Sequence, residues 1–327
     1  MFEVSNLRCL NMHSRSASNR SLIFPITNHE LRITEFYMLS PYLRLIRPHQ
    51  WVKNGFVLAP LIFAGKLLHY QSMVLEFSAF VVFCLASSGV YAFNDIFDRE
   101  KDRNHPIKKS RPVAAGEISV LKASIIGTAL FVISILGAGT IGRTFLLWTV
   151  FYLLLQFGYN LAFRNIVILD ILAIAMGFVI RAVAGSLAIS VVISPWLILC
   201  SLLIALFLGF AKRRQEIVLL GDAAAQHRAI LKEYSVPLLD QLIGIVTAAT
   251  IVSYAIYTLT PDVTQRLGSK YMILTLPFVL YGIFRYLYLV HVHEKGGSPT
   301  KDLLTDPPLL LSILLWTVTS VSLIYFF

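Results

Sequence analysis

Val90-Tyr91-Ala92-Phe93-Asn94-Asp95-Ile96-Phe97-Asp98-Arg99-Glu100-Lys101-Asp102 is the stretch on which the fold turns. It closes an apolar run over 73–97, long enough to cross a hydrocarbon core that takes about 20 helical residues. The run ends in acidic side chains. At 100° per residue, Asn94, Asp95, Asp98 and Asp102 fall within about a quarter of the helix circumference, with Tyr91 one turn earlier on the same side. Carboxylates crowded on one face repel unless a cation joins them. Hard oxygen ligands at this density suit magnesium, which keeps waters and shares its remaining positions with substrate phosphates. The bland alternative is a solvated helix end, with Arg99, Glu100 and Lys101 interleaved. An acidic row at a membrane boundary is costly to keep without a use, which favours the functional reading.

Eight further runs flank this one, giving expected spans at 50–68, 73–97, 119–140, 144–163, 167–190, 195–216, 238–260, 270–291 and 307–327. The composition agrees: 57% of the 327 residues are apolar and 14% charged, against roughly a quarter charged in soluble domains. The runs are too long, and lack the alternation, for barrel strands. The expected class is therefore all-α, a polytopic membrane bundle of about nine transmembrane helices around a central cavity open to the cytoplasmic side.

The formal net charge of +10 raises nucleic acid as a partner, and its distribution argues against it. With the N-terminus placed in the cytoplasm, the outer loops hold only Lys66, Arg143, Arg266 and Lys270. The inner side carries Arg99, Lys101, Arg103, Lys108, Lys109, Arg111, Lys212, Arg213 and Arg214 among others. This is the positive-inside bias, and the polar loops make the cytoplasmic face the expected active face. Cys9, Cys84 and Cys200 form no metal-thiolate spacing and read as packing residues. Residues 1–37 are polar and lack the apolar core of a signal peptide. They read as a disordered extension before a membrane domain at 38–327, and Met38 looks like a natural start.

Beyond the acidic row come Arg103-Asn104-His105-Pro106-Ile107-Lys108-Lys109-Ser110-Arg111-Pro112. Two prolines break the helix, and the basic residues lie beside the acidic ones. Metal plus basic groups is an arrangement that neutralises a leaving diphosphate. Ordinary positive-inside charge is the competing reading.

The segment from Asn94 to Pro112 resembles the first signature of the UbiA-type intramembrane prenyltransferase superfamily, Asn-Asp-x-x-Asp-x-x-x-Asp, with all four positions present. The resemblance implies nine helices holding a magnesium-diphosphate substrate at the cytoplasmic mouth of a lipid-accessible cavity. Typical members carry a second acidic motif near the inner end of the sixth helix. Here that end is Phe210-Ala211-Lys212-Arg213-Arg214-Gln215-Glu216, basic instead. A basic cluster suits a free phosphate better than a second metal-bound diphosphate. Four further segments resemble the decaprenyl-phosphate phosphoribosyltransferase branch: Arg47–Asn54, Gly177–Gly185, Lys212-Arg213-Arg214-x-Glu216 and Gly296–Thr300.

That branch implies transfer of 5-phosphoribose from 5-phosphoribosyl 1-diphosphate to a polyprenyl phosphate, with release of diphosphate. Asn94 and Asp98 are the expected Mg2+ ligands, and Asp95, Asp98 and Asp102 the catalytic carboxylates. Lys53, Tyr91, Lys108 and Arg111 are expected on donor phosphates or ribose. Lys212 and Arg213 are expected on phosphate. Tyr159 and Arg164 occupy positions where the superfamily faces a Tyr and a basic residue to the cavity, although a helix-end aromatic with a boundary arginine is also ordinary. Asp170 and Arg181 are 11 residues apart, about 20° in phase and about 16 Å along the axis. Both read as cavity-wall groups that meet acceptor phosphate or donor, or as residues paired to a neighbour for packing; for Arg181, the deeper of the two, the functional reading is favoured because intramembrane charge is expensive. His291, His293 and Glu294 read as an interfacial polar end, without a third metal ligand at diagnostic spacing.

The alternative activity is a prenyltransferase moving a polyprenyl chain onto an aromatic or other small acceptor, and a transporter is the third class. The resemblance implies a multi-pass protein of a bacterial inner membrane serving cell-envelope biogenesis. Its implied partners are the two substrates and the bilayer, with no nucleic acid and homo-oligomerisation left open.

Overall fold

The computed structural model describes residues 40–105, 108–220, 229–267, 269, 271–293, 296, 297 and 299–326. The expected disordered extension at 1–37 and the start at Met38 lie outside the described residues, as do Pro106, Ile107, Glu294 and Ser298. From Pro41 onward the chain forms one compact unit. Every regular element among the described residues is helical. The α-helices are α1 (Pro41–Ile46), α2 (Ala59–Phe63), α3 (Tyr70–Phe97), α4 (Arg99–Arg103), α5 (Val120–Ile141), α6 (Arg143–Leu161), α7 (Leu169–Ala188), α8 (Pro195–Leu220), α9 (Val236–Leu259), α10 (Pro261–Leu267), α11 (Leu276–His291), α12 (Pro299–Thr305) and α13 (Pro307–Tyr325).

Eight helices among the described residues are long and apolar enough to cross a membrane: α3, α5, α6, α7, α8, α9, Met272–His291 and α13. The expected first span at 50–68 is not one of them. It is a 3-10 helix over Pro48–Leu58 followed by the short α2. Pro48 and Pro60 supply no backbone N–H, which weakens an α-helical ladder at both ends. The 3-10 form brings side chains three residues apart into register. Trp51, Asn54 and Val57 therefore line up against the bundle. Trp51 Nε1 donates to Ser88 Oγ at 3.0 Å, Asn54 Nδ2 donates to Ser87 Oγ at 3.1 Å, and Val57 is fully buried. A Cβ on Gly185 of α7 would overlap the Val57 carbonyl oxygen, so this close approach requires glycine. A 3-10 helix rises about 2.0 Å per residue, so this segment and α2 together extend roughly 30 Å without forming a standard transmembrane α-helix.

Polar side chains set the helix starts. Ser119, Ser235 and Asp306 accept hydrogen bonds from the backbone N–H of Lys122, Leu238 and Leu309 at the heads of α5, α9 and α13. These caps satisfy donors that the helices leave orphaned. The α7 helix is the most enclosed span and packs against α3, α6, α8 and the 3-10 segment.

Aromatic and glycine packing fixes the rotation of α3, which carries the acidic row. Phe93 stacks on Phe131 of α5 at 5.3 Å and meets Phe157 of α6 edge-on at 6.1 Å. Gly127 and Gly89 make room for these rings: a Cβ on either would lie 2.8 Å or 2.5 Å from Phe93 or Phe131. The residue immediately before Asn94 is thus locked on two sides. The loop after α4 is anchored by buried Val113 and Ile118, which join Leu45, Ala92 and Ala123 in a small apolar cluster. Arg44 of α1 pairs with Glu117 and donates to the Ser110 carbonyl at 3.1 Å, holding the loop from the other side.

Candidate active site

Asn94 and Asp95 lie on the last turn of α3, Asp98 caps it, and Asp102 lies on α4. The backbone hydrogen bond from Asp102 N–H to the Asp98 carbonyl, at 2.8 Å, carries the helical course across the break. Asp95 and Asp102 are buried, while Asn94 and Asp98 are half-buried.

Arginines from three separate parts of the chain surround this row. Arg47 donates to Asp95 and lies over the Tyr91 ring at 5.0 Å. Arg111 reaches Asp102 at 2.6 Å and Asp95 at 3.4 Å. Arg164, from the turn after α6, meets Asp98 at 3.0 Å. Lys108 is exposed but near enough to Asp102 to favour its charged form. Burial pushes the Asp102 carboxyl above its ordinary range, against the pull of Arg111; a bound cation would reverse that direction.

Two buried oxygens in the row, Asn94 Oδ1 and Asp95 Oδ2, have no hydrogen-bond partner. Orphaned buried acceptors are rare and call for an explanation. Both are hard oxygen atoms at one end of the row, a donor set that fits a divalent cation. Among the described residues no three His, Cys, Asp or Glu side chains converge tightly enough to hold a metal alone. Magnesium does not need such a cage, because one or two protein oxygens, waters and substrate phosphates complete its octahedron.

The structure brings Asn94, Asp95, Asp98, Asp102, Tyr91, Arg111 and Arg164 together as the sequence leads one to expect. Arg47 is an addition. It directly precedes Pro48, where a helix boundary is the natural reading, and nothing local signals that it reaches α3. Its φ of 52° is left-handed, uncommon for a residue with a side chain. Burial against Asp95 and Tyr91 holds it there.

Arg213 has a different setting from the one expected. It is 2% exposed and donates to Asp170 at 2.8 Å and to Glu216 at 2.7 Å. Tyr234 donates to the other Asp170 oxygen at 2.7 Å and accepts from the Ile168 backbone N–H at 2.7 Å. This closed cluster joins α7, α8 and the segment before α9. Lys212 is partly exposed beside Glu216. Tyr159 lies close enough to Arg213 to interact electrostatically. His291 shares Asp240 with Arg214, consistent with an interfacial polar end.

Deeper in the bundle, Arg181 is 5% exposed and hydrogen-bonded to three neutral groups: Asn54 Oδ1 at 2.7 Å, the Gly177 carbonyl at 2.7 Å and Tyr152 Oη at 2.8 Å. An apolar cavity of about 680 Å³ opens from the 3-10 segment at Val52, Gly55 and Phe56 and runs to Tyr254, Tyr257 and Trp316. None of the acidic-row residues lines it.

Comparison with known proteins gives the family and the fold. The UbiA prenyltransferase family pattern matches residues 56–301. The decaprenyl-phosphate phosphoribosyltransferase of Corynebacterium glutamicum is 33% identical over 290 residues, covering 86% of this chain and 86% of its own. The decaprenyl-phosphate phosphoribosyltransferase of Mycolicibacterium smegmatis is 31% identical over 300 residues, covering 88% and 94%. A UbiA homolog from Archaeoglobus fulgidus, solved bound to GPP and Mg2+, superposes with a TM-score of 0.63 at 18% identity, over 86% of this chain and 100% of its own. With eight membrane-spanning helices among the described residues and these relatives, the chain belongs to the UbiA prenyltransferase family as a multi-pass membrane transferase.

Proposed function

We propose that the protein transfers 5-phosphoribose from 5-phosphoribosyl 1-diphosphate to a polyprenyl phosphate of decaprenyl type, with Mg2+, at the cytoplasmic face of a bacterial inner membrane. The observation that carries the choice of donor is the end of α8. A second metal-diphosphate site there would need free carboxylates. Asp170 and Glu216 are both engaged by Arg213, and the neighbouring residues Lys212 and Arg214 are basic. Among the described residues, one candidate metal-diphosphate site, at the α3 end, therefore remains. The names of the relatives from Corynebacterium and Mycolicibacterium support the same reading.

The chemistry needs little from the protein beyond position and charge. A lipid phosphate oxygen attacks C1 of the ribose, the C1–O bond breaks, and its electron pair leaves with the diphosphate. The acceptor is already anionic, so no general base is required. Asn94 and Asp98, joined by Asp95, would hold the metal, which would neutralise and orient the leaving diphosphate. Arg47, Arg111 and Arg164 are long enough to turn from carboxylate to phosphate oxygens while staying in the row, and guanidinium is well shaped for either partner. Tyr91, beneath Arg47, would keep that cation aimed. Lys108 and Lys212 would meet the donor at the rim. Charge that develops on the diphosphate then meets cations already in place.

The test is release of diphosphate by the purified protein in liposomes. Release should require 5-phosphoribosyl 1-diphosphate, polyprenyl phosphate and Mg2+ together. Release from a polyprenyl diphosphate with an aromatic acceptor, and none from the phosphoribosyl donor, would establish the alternative prenyltransferase activity instead.

A further inference from the structure

Two cations, Lys53 and Arg181, lie beside residues of the apolar cavity wall. Side chains three residues apart stack in a 3-10 helix, so Lys53, Phe56 and Ala59 form one column. Phe56 and Ala59 line the cavity, and Lys53 begins the column on the side nearer the acidic row. Among the described residues Lys53 has no hydrogen bond or ion pair. The Arg181 guanidinium is close enough to repel it. Arg181 uses three of its five N–H donors on neutral acceptors. Its guanidinium lies over Phe178 at 5.5 Å, and Phe178 meets Phe56 of the cavity wall edge-on at 5.0 Å. Arg181 thus reaches the cavity wall through Phe178, and Lys53 follows the wall residue Val52 in the chain.

Arg181 lies deeper than the acidic row, while Lys53 is close enough to both Arg181 and Arg47 to be repelled by each. Asn54, which bonds Arg181, docks on α3 at Cys84 and Ser87. Ser87 precedes Asp95 by two turns, about 12 Å along the helix. Two cations this far into a membrane protein, without a carboxylate partner, are costly unless an anion arrives with the substrate. The donor is wholly polar, and its phosphates have the acidic row and the rim cations Lys108 and Arg111. An anion attached to a long apolar chain fits both the cations and the space beside them.

We propose that Lys53 and Arg181 form the subsite for the phosphate of the lipid acceptor, with the start of its chain in the cavity lined by Phe56 and Ala59. The proposal rests on the phosphoribosyl-transfer reading for the lipid's role as acceptor. It moves Lys53 from the donor, where the sequence alone puts it, to the acceptor. Arg181 is supported by Asn54, Tyr152 and Gly177 and serves as the structural anchor, so Lys53 carries the test.

Full-length protein in nanodiscs is assayed for binding of decaprenyl phosphate and of uncharged decaprenol, and for transfer kinetics with both substrates varied. The wild type should bind the phosphate in preference to the alcohol. Lys53→Met should remove most of that preference. It should raise the KM for the lipid phosphate about tenfold and leave that for 5-phosphoribosyl 1-diphosphate within about twofold. Lys53→Arg should restore the lipid KM. A rise confined to the donor KM, or no change in either, would overturn the assignment. If the wild type prefers the phosphate but transfers no phosphoribose, the subsite stands and the donor reading falls. If it transfers phosphoribose and Lys53→Met keeps the preference for phosphate, the donor reading stands and the subsite falls.

Discussion

Two clusters of carboxylates and arginines sit at the same end of the bundle, and they are built differently. In the row on α3 and α4, three aspartates meet Arg47, Arg111 and Arg164, yet two buried oxygens remain without hydrogen bonds. In the cluster on α7 and α8, both Asp170 oxygens are bonded, one to Arg213 and one to Tyr234. The Arg213 side chain there is 2% exposed, against 24% for Arg111 and 23% for Arg164. Incomplete satisfaction with access to solvent marks a site that can take a ligand; complete satisfaction in a closed interior marks a clamp. Residue type alone does not distinguish the two.

Mutations can break this contrast. Arg213→Ala should cost the largest amount, about 3–5 kcal/mol of stability, because it strands Asp170 as a buried unpaired charge. Thermal unfolding in detergent checks this, and the double variant Arg213→Met, Asp170→Leu should recover much of the loss. Asp98→Ala should leave the unfolding midpoint nearly unchanged and lower transfer by roughly 10²–10³-fold, as expected for removing a group that binds developing charge. Its activity should not recover when Mg2+ is raised. Arg164→Gln should lower transfer about tenfold, through loss of one charge-assisted contact, measured as kcat/KM for the donor. Glu100→Gln, on an exposed ion pair with Arg103, should change stability by less than about 0.5 kcal/mol. Were Asp98→Ala to unfold the protein while Arg213→Ala only abolished transfer, the two clusters would have exchanged roles.

The parts legible in the sequence are those written in contiguous residues. The later eight apolar runs become the eight spans because length and hydropathy are local properties. The acidic row is visible because successive helical turns bring its members onto one face. The 3-10 course of Pro48–Leu58 was hidden, since a hydropathy window measures apolar length and not hydrogen-bond type. Arg47 was hidden because its partner Asp95 lies 48 residues away. Arg213 misled for the same reason. Lys212-Arg213-Arg214 reads as a phosphate site until Asp170, 43 residues earlier, is seen to take the middle charge. Arg164 comes from family resemblance alone, because its partner Asp98 lies 66 residues away in the chain.

The central claim is that the diphosphate at the acidic row is carried on ribose. The direct measurement supplies 5-phosphoribosyl 1-diphosphate labelled in the ribose and polyprenyl diphosphate labelled in the chain, side by side, to protein in liposomes with polyprenyl phosphate, an aromatic acceptor and Mg2+. The account predicts that ribose label enters the lipid fraction, that it does so only with Mg2+, and that Asp98→Ala slows its entry by roughly 10²–10³-fold. Chain label on the aromatic acceptor, with no ribose label in the lipid, would contradict it.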